Sequence, residues 1–245
     1  MIMCLSPKHT FLPFDLGGWK EMCKFAYDYI FMLYEIAHII KDKCHFLWDA
    51  IEWANAEVFA CMHHKKLGLV DGILKGCSEN YILRPATLND IPEMVAFFAA
   101  QPEEAFTFFQ PHDFDEKGLK KVVSNKSFLT YLVLEDSAIV GYFFMRSFIN
   151  NKTFKGYMVD YRQRGKGIAK LMGIAMNKIA IALGLRMYKS ISPDNPASMA
   201  VTKKVNDIKI IKTLNNGDML IECTIKTDIQ QITGGGSGST SLNLK

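Results

Sequence analysis

Val159-Asp160-Tyr161-Arg162-Gln163-Arg164-Gly165-Lys166-Gly167-Ile168-Ala169 decides how this chain is read. Upstream, Thr153 to Asp160 reads as a strand, with Phe154, Tyr157 and Val159 supplying aromatic and β-branched side chains. Downstream, Ile168 to Leu185 is rich in Ile, Leu, Met and Ala, and Ile168, Leu171, Met172 and Ala175 fall at helical spacing. The basic, glycine-containing segment therefore stands at a strand-to-helix turn. A helix start has amide N–H groups without backbone partners and the positive end of the peptide dipoles. Gly165 and Gly167 carry no Cβ, so the backbone can approach a ligand, and Arg162, Arg164 and Lys166 add positive charge. Together they make a cradle for a phosphate or diphosphate. The plainer alternative is a glycine turn with solvated basic side chains.

Two common phosphate motifs fail here. A P-loop needs Ser or Thr after Gly-Lys, and Gly165-Lys166 is followed by Gly167 with Asp160 at the first glycine position. The dinucleotide fingerprint fails because Lys170 holds its third glycine position. The segment resembles instead the acetyl-coenzyme A motif of the GNAT acyltransferase superfamily, (Arg/Gln)-x-x-Gly-x-(Gly/Ala). Arg164, Gly167 and Ala169 match it, and Tyr161-Arg162 fit the wider family pattern.

The order of segments carries the resemblance further. Residues 80–226 read as strand Tyr81–Pro85, a helix from Ile91-Pro92, a helix over Asp113–Val123, and strands Phe128–Leu134 and Ile139–Phe148. The strand and helix around the cradle follow. Then come strand Arg186–Ser192, helix Ala197–Val205, and strands Ile208–Leu214 and Met219–Ile225. That order, β-α-α-β-β-β-α-β-α-β-β, resembles the whole GNAT fold: a mixed α+β or α/β sheet flanked by helices. Asn195-Pro196-Ala197-Ser198 fits the family's Asn-x-x-(Ser/Ala). In the Tyr-x-Lys-x-Gly-Phe that follows in relatives, Thr202 holds the tyrosine position, Lys204 the lysine, and Asn206-Asp207 the Gly-Phe pair.

The 245 residues suffice for one full domain and an appendage, and 49% hydrophobic residues can fill a sizeable core. A formal charge of +4 is too mild to suggest nucleic acid. Six scattered cysteines without Cys-x-x-Cys, and no secretory signal, point to a reduced cytoplasmic setting. Residues 1–79 read as a helical hairpin, Trp19 to about Lys43 and about Phe46 to His64, packed on the main domain or forming a homo-oligomer with another subunit. Glu35 and His38 interrupt its most apolar run, so no membrane span is expected. Cys61, His63, His64 and Cys77 fit no common zinc spacing, and no metal is expected. Residues 227–245, with Gly-Gly-Gly-Ser-Gly-Ser at 234–239, read as a flexible tail.

The resemblance implies an acetyl-CoA-dependent N-acetyltransferase acting on a primary amine of a small molecule, an amino-sugar nucleotide among the candidates. The alternative is a non-catalytic GNAT-like domain that binds coenzyme A or a protein partner. It implies that backbone at Met158 and Val159 holds the thioester arm, that Arg164, Gly165, Lys166, Gly167, Ile168 and Ala169 take the diphosphate, and that Asn195, Ser198 and Lys204 complete the site. The glutamate that many relatives carry on the fourth strand is missing from Thr153 to Met158. The catalytic candidates are Asp160, the nearest carboxylate, whose commoner role would be capping or pairing with Arg162 or Arg164, Tyr188 as proton donor to the thiolate, and Thr202 as a group that orients water. Phe97, Phe98, Phe106, Phe108 and Phe109 are expected either to line the acceptor pocket or to pack the core, and His112 beyond them either to face that pocket or to stand in solvent on its loop.

Overall fold

The computed structural model describes residues 45–226. The first helix of the expected hairpin and the tail both lie outside these residues. The chain divides into two compact units after Glu52, and the described part of the first unit is the opening of helix α1 (His45–Leu67).

From Trp53 onward the fold is a mixed seven-stranded sheet with helices on both faces. Its strands are β1 (Ile82–Pro85), β2 (Phe128–Glu135), β3 (Ala138–Ser147), β4 (Lys152–Val159), β5 (Arg186–Ile191), β6 (Asn206–Thr213) and β7 (Met219–Ile225), in the order β1-β2-β3-β4-β5-β7-β6. Pro85, which has no N–H to give to a ladder, ends the edge strand β1. β2 and β3 meet through Asp136 (φ 48°) and Ser137 (φ 70°). Positive φ at both central residues matches the right-handed twist of a hairpin and brings the two strands into register.

Alternation along β2 and β3 builds two cores. Leu132, Leu134, Tyr142 and Phe144 point to one face, where Ile91, Met94, Phe97 and Phe98 of α3 (Ile91–Ala99) and Leu119 and Val122 of α4 (Glu116–Ser124) cover them. Tyr131, Val133, Phe143 and Met145 point to the other, under α5 (Ile168–Leu183), α2 (Val70–Lys75) and Phe59 of α1. A sheet buried on both faces needs nearly continuous apolar strands, which is why β2 and β3 look less alternating in sequence than one-sided strands do. α6 (Pro196–Val205) lies against α5.

α5 ends at Gly184, whose φ of 71° is the left-handed cap that stops a helix; the expected helix ran on to Leu185. The six-residue α2 was not expected from sequence. Among the described residues no helix is long and apolar enough to cross a membrane.

Candidate active site

The strand-to-helix turn is built from its own residues. Asp160 is 4% exposed; its carboxylate accepts from the Arg162 amide at 2.9 Å and caps a short 3-10 turn, Tyr161–Gln163. The Arg162 guanidinium folds back onto the same carboxylate, Nε to Oδ1 at 3.1 Å and Nη2 to Oδ2 at 2.7 Å. That pairing holds the Asp160 carboxyl below its ordinary range. Of the two arginines the sequence offers Asp160 as partners, the carboxylate takes Arg162 and offsets its charge; Arg164 and Lys166 are exposed. Gln101, just past α3, accepts from the Tyr161 amide at 3.0 Å and ties the turn to the opposite face of the sheet.

Gly165 (φ 83°) and Gly167 (φ 81°) both adopt the left-handed region, and a Cβ at either would meet no atom within 4 Å. The glycines therefore serve conformation and openness, not packing. Gly167 is the N-cap of α5, and the first bond of that helix runs from the Leu171 amide to the Gly167 carbonyl at 3.0 Å. The amides of Ile168, Ala169 and Lys170 precede that ladder at the positive end of the helix. An anion at an open, glycine-flanked backbone with two exposed cations is a physical fit for a diphosphate. Ile168 itself is buried in the core and Ala169 is half-buried, so these two residues can offer a ligand only their backbone.

Further back along the strand the sheet opens. β4 and β5 run parallel and pair only at Lys152–Arg186, Thr153–Met187 and Phe154–Tyr188. Beyond Phe154, β4 stays paired with β3 as far as Val159, while β5 stays paired with β7 as far as Ile191. The edges of β4 and β5 that face each other are unpaired from there on. About 16 Å of β4 edge, the five residues from Lys155 to Val159 at roughly 3.3 Å each, lies open to a ligand.

On the helix α6 side this split carries a buried polar group that sequence reasoning missed. Lys155 Nζ donates to Asn206 Oδ1 at 2.7 Å; Asn206 donates to Asn177 of α5 at 2.9 Å, and Asn177 donates to the Val205 carbonyl at 3.0 Å. Across the split, Lys189 Nζ donates to Ser198 Oγ at 2.8 Å and lies 4.1 Å from the centre of the Tyr157 ring. Burial, joined by the Lys155 charge, pushes the Lys189 ammonium down to about 7, and burial lowers Lys155 too. The Tyr157 hydroxyl is buried without a hydrogen-bond partner; burial raises its pKa, tempered by the neighbouring Ser198 and Thr202 hydroxyls.

The other sequence-expected residues are placed as follows. Asn195 caps α6 by accepting from the Ser198 amide at 3.0 Å, and Lys204 is exposed on that helix. Thr202 is buried, its hydroxyl donating to the Ser198 carbonyl at 2.8 Å. Met158 points into the α3–α4 core and Val159 packs on the α5 side. Tyr188 lies on the face opposite Lys189, against the Phe154 ring, and its hydroxyl donates to Glu222 Oε1 of β7 at 2.9 Å. Glu222 was not among the sequence candidates; a strand carboxylate 34 residues from its partner has no local signal.

On that face Phe109 and Phe144 close over Gly156, where a Cβ would stand 2.5 Å from the Phe144 ring. Phe97 and Phe98 belong to the core, Phe106 and Phe109 pack against it, and Phe108 is exposed. His112 Nδ1 meets the Asp113 carbonyl at 2.7 Å; a carbonyl only accepts, so Nδ1 carries the proton and Nε2 accepts from the Tyr142 hydroxyl at 2.7 Å. Burial lowers the His112 pKa and keeps the ring neutral. A cavity of about 620 Å³ opens beside it, lined by Phe106, Gln110, His112, Asp113, Phe114 and Asp115.

Comparison with known proteins finds solved structures of similar fold. RimJ of Mycobacterium smegmatis in complex with CoA-disulfide shares 17% identity over 60% of this chain and 83% of its own, with a TM-score of 0.51. An N-acetyltransferase from Staphylococcus aureus Mu50 shares 22% identity over 60% of this chain and 99% of its own, at 0.50. Aminoglycoside acetyltransferase AAC(6')-Ib in complex with coenzyme A and kanamycin shares 12% identity over 63% of this chain and 99% of its own, at 0.52. These likenesses show the fold. A comparison with curated proteins found no significant match. The family described as the acetyltransferase (GNAT) domain matches residues 80–206, just over half of the chain, and the chain belongs to that family.

Proposed function

We propose that this protein is an N-acetyltransferase that moves an acetyl group from acetyl-CoA to the amine of a small molecule. The observation that carries the reading is the alignment of two features on one strand: an open anion cradle at its end and an unpaired edge leading back from it into the sheet. A diphosphate held by the amides after Gly167, with Arg164 and Lys166 beside it, sends the rest of the co-substrate along β4 between Val159 and Lys155.

Acyl transfer of this kind needs both reactants held in line and charge stabilised where it develops. The free edge of β4 supplies backbone N–H groups for the arm and the carbonyl. On the opposite face, the exposed Asp113 and Asp115 carboxylates and the aromatic wall of Phe106 and Phe114 suit a cationic amine with an apolar or sugar-like body, an amino sugar being one such acceptor. The Tyr188–Glu222 pair stands next to Phe154, where the split begins, and is the carboxylate best placed to take the amine's proton. Asp160 is committed to Arg162, and the Thr202 hydroxyl to the Ser198 carbonyl, so in this reading both support the site rather than move protons.

The test is release of free thiol from acetyl-CoA in the presence of amines that include an aminoglycoside, an amino-sugar nucleotide and an alanine-terminated peptide. Amine-dependent release is expected. Absence of turnover together with absence of coenzyme A binding overturns the reading; binding without turnover favours the non-catalytic alternative.

A further inference from the structure

Lys189 is the feature of the split that the acyl-transfer reading leaves without a task. It is buried, and among the described residues no carboxylate pairs with it. The groups that face it are Lys155 and Tyr157 from β4, Cys223 from β7 and the Ser198 hydroxyl from α6: one cation, three neutral groups and no anion. A buried ammonium without a counter-charge is costly, and a second ammonium beside it adds to the cost. Such a group fits a position where negative charge arrives with a ligand.

Its place in the fold says which charge. Lys189 follows Tyr188, the last β5 residue paired with β4, and its Nζ reaches across the opening to the Tyr157 ring. An arm that enters at the cradle and follows the open edge of β4 passes Val159 and then Tyr157. At Tyr157 it meets Lys189 and the unpartnered Tyr157 hydroxyl.

We propose that Lys189 receives the coenzyme A sulfur: its ammonium stands against the thiolate as that group leaves and gives it a proton. The inference rests on the coenzyme A reading of the cradle. In balanced form, the acceptor nitrogen bonds to the acyl carbon, the carbon–sulfur bond breaks, and its electron pair stays on sulfur. Lys189 passes one proton from Nζ to sulfur, leaving a thiol and a neutral lysine amine, which takes a proton back from water. The acceptor's surplus proton goes to the Glu222 side of the sheet. An ammonium that burial and the Lys155 charge push down to about 7 suits this exchange, because it gives up its proton more readily than an ordinary lysine. Tyr157 is a positioning residue: its ring face holds the ammonium over the opening.

The experiment needs no acceptor. Coenzyme A is titrated into the purified protein and its thiolate followed by ultraviolet absorbance as pH rises, with binding measured separately by calorimetry. In the wild-type complex the thiol is expected to ionise about 1 to 3 pH units lower than in free coenzyme A, the effect of one opposite charge in close contact. Lys189→Met is expected to remove that shift while coenzyme A still binds, and Lys189→Arg to retain most of it. An unshifted thiol in the wild-type complex overturns the proposal whether or not the Lys189→Met protein folds, as does an equal shift in wild type and Lys189→Met. Failure of the wild type to bind coenzyme A overturns the acyl-transfer reading with it. Binding with no Lys189 effect overturns this proposal alone.

Discussion

The cradle at residues 164–169 and the split between β4 and β5 lie end to end along one strand, and they are made in opposite ways. In the cradle the backbone faces outward: two glycines at positive φ leave open space around amides that precede the helical ladder. In the split the side chains face inward: from five elements come two neighbouring sets, Lys155 with Asn206 and Asn177, and Lys189 with Ser198 and the Tyr157 ring. The cradle is a site of conformation, sensitive to any Cβ that forbids its φ angles. The split is a site of electrostatics, sensitive to charge more than to shape. Substitutions should separate the two.

The largest effect is expected in the cradle. Gly167→Asp places a side chain at φ 81° and a negative charge where the diphosphate belongs. Coenzyme A affinity measured by calorimetry should fall by about 100-fold or more, near 3 kcal/mol, while the unfolding free energy falls by only about 1 to 2 kcal/mol, the strain of a side chain in the left-handed region, because the added atoms clash with nothing. An unchanged affinity breaks the comparison at its first half. On the acceptor side of the split, Glu222→Gln keeps shape and removes the carboxylate beside Tyr188. Its expected loss is about 100-fold in kcat with coenzyme A affinity intact; a loss confined to coenzyme A binding would place Glu222 in the wrong role.

These two predictions differ in how visible their residues are in the sequence. The cradle was legible because its parts are consecutive: the strand, the glycines, the basic residues and the helix start all fall within eleven positions. Most elements of the domain were legible for a similar reason, since aromatic and β-branched runs are separated by turn residues such as Asp136-Ser137 and Asn216-Gly217. Lys155 and Lys189 were not. A lysine in a strand ordinarily belongs to a solvent face, and these two are inside only because α6 folds over an opening in the sheet. Glu222 likewise acquires its meaning from Tyr188 on a neighbouring strand. Within the motif the sequence leaves Asp160 a choice of partner, Arg162 or Arg164. Arg162 and Asp160 are two residues apart, but only the 3-10 turn between them lets the guanidinium fold back onto the carboxylate.

Smaller effects sharpen the contrast. Gly156→Ala adds a Cβ 2.5 Å from the Phe144 ring, on the face of β4 that turns away from the lysines. Overpacking of this kind is expected to cost about 1 to 3 kcal/mol in denaturant unfolding, because the ring is held by Phe109 and Phe128. The same variant should leave the thiol ionisation of bound coenzyme A unmoved. The smallest effect concerns His112. Its folded pKa is depressed by burial, so the unfolded chain binds the proton more readily. Stability contributed by the neutral ring is therefore present above the ordinary histidine value of about 6.5 and declines as pH falls below it. His112→Gln should flatten that decline in thermal unfolding measured between neutral and mildly acidic pH; an equally steep decline would assign it to other groups.

A crystal structure of the protein with coenzyme A tests the central claim most directly. The account predicts diphosphate oxygens within hydrogen-bonding distance of the amides that follow Gly167, and the arm lying along β4 in the split. A diphosphate bound away from those amides, or a coenzyme A arm that runs outside the β4–β5 opening, would contradict it.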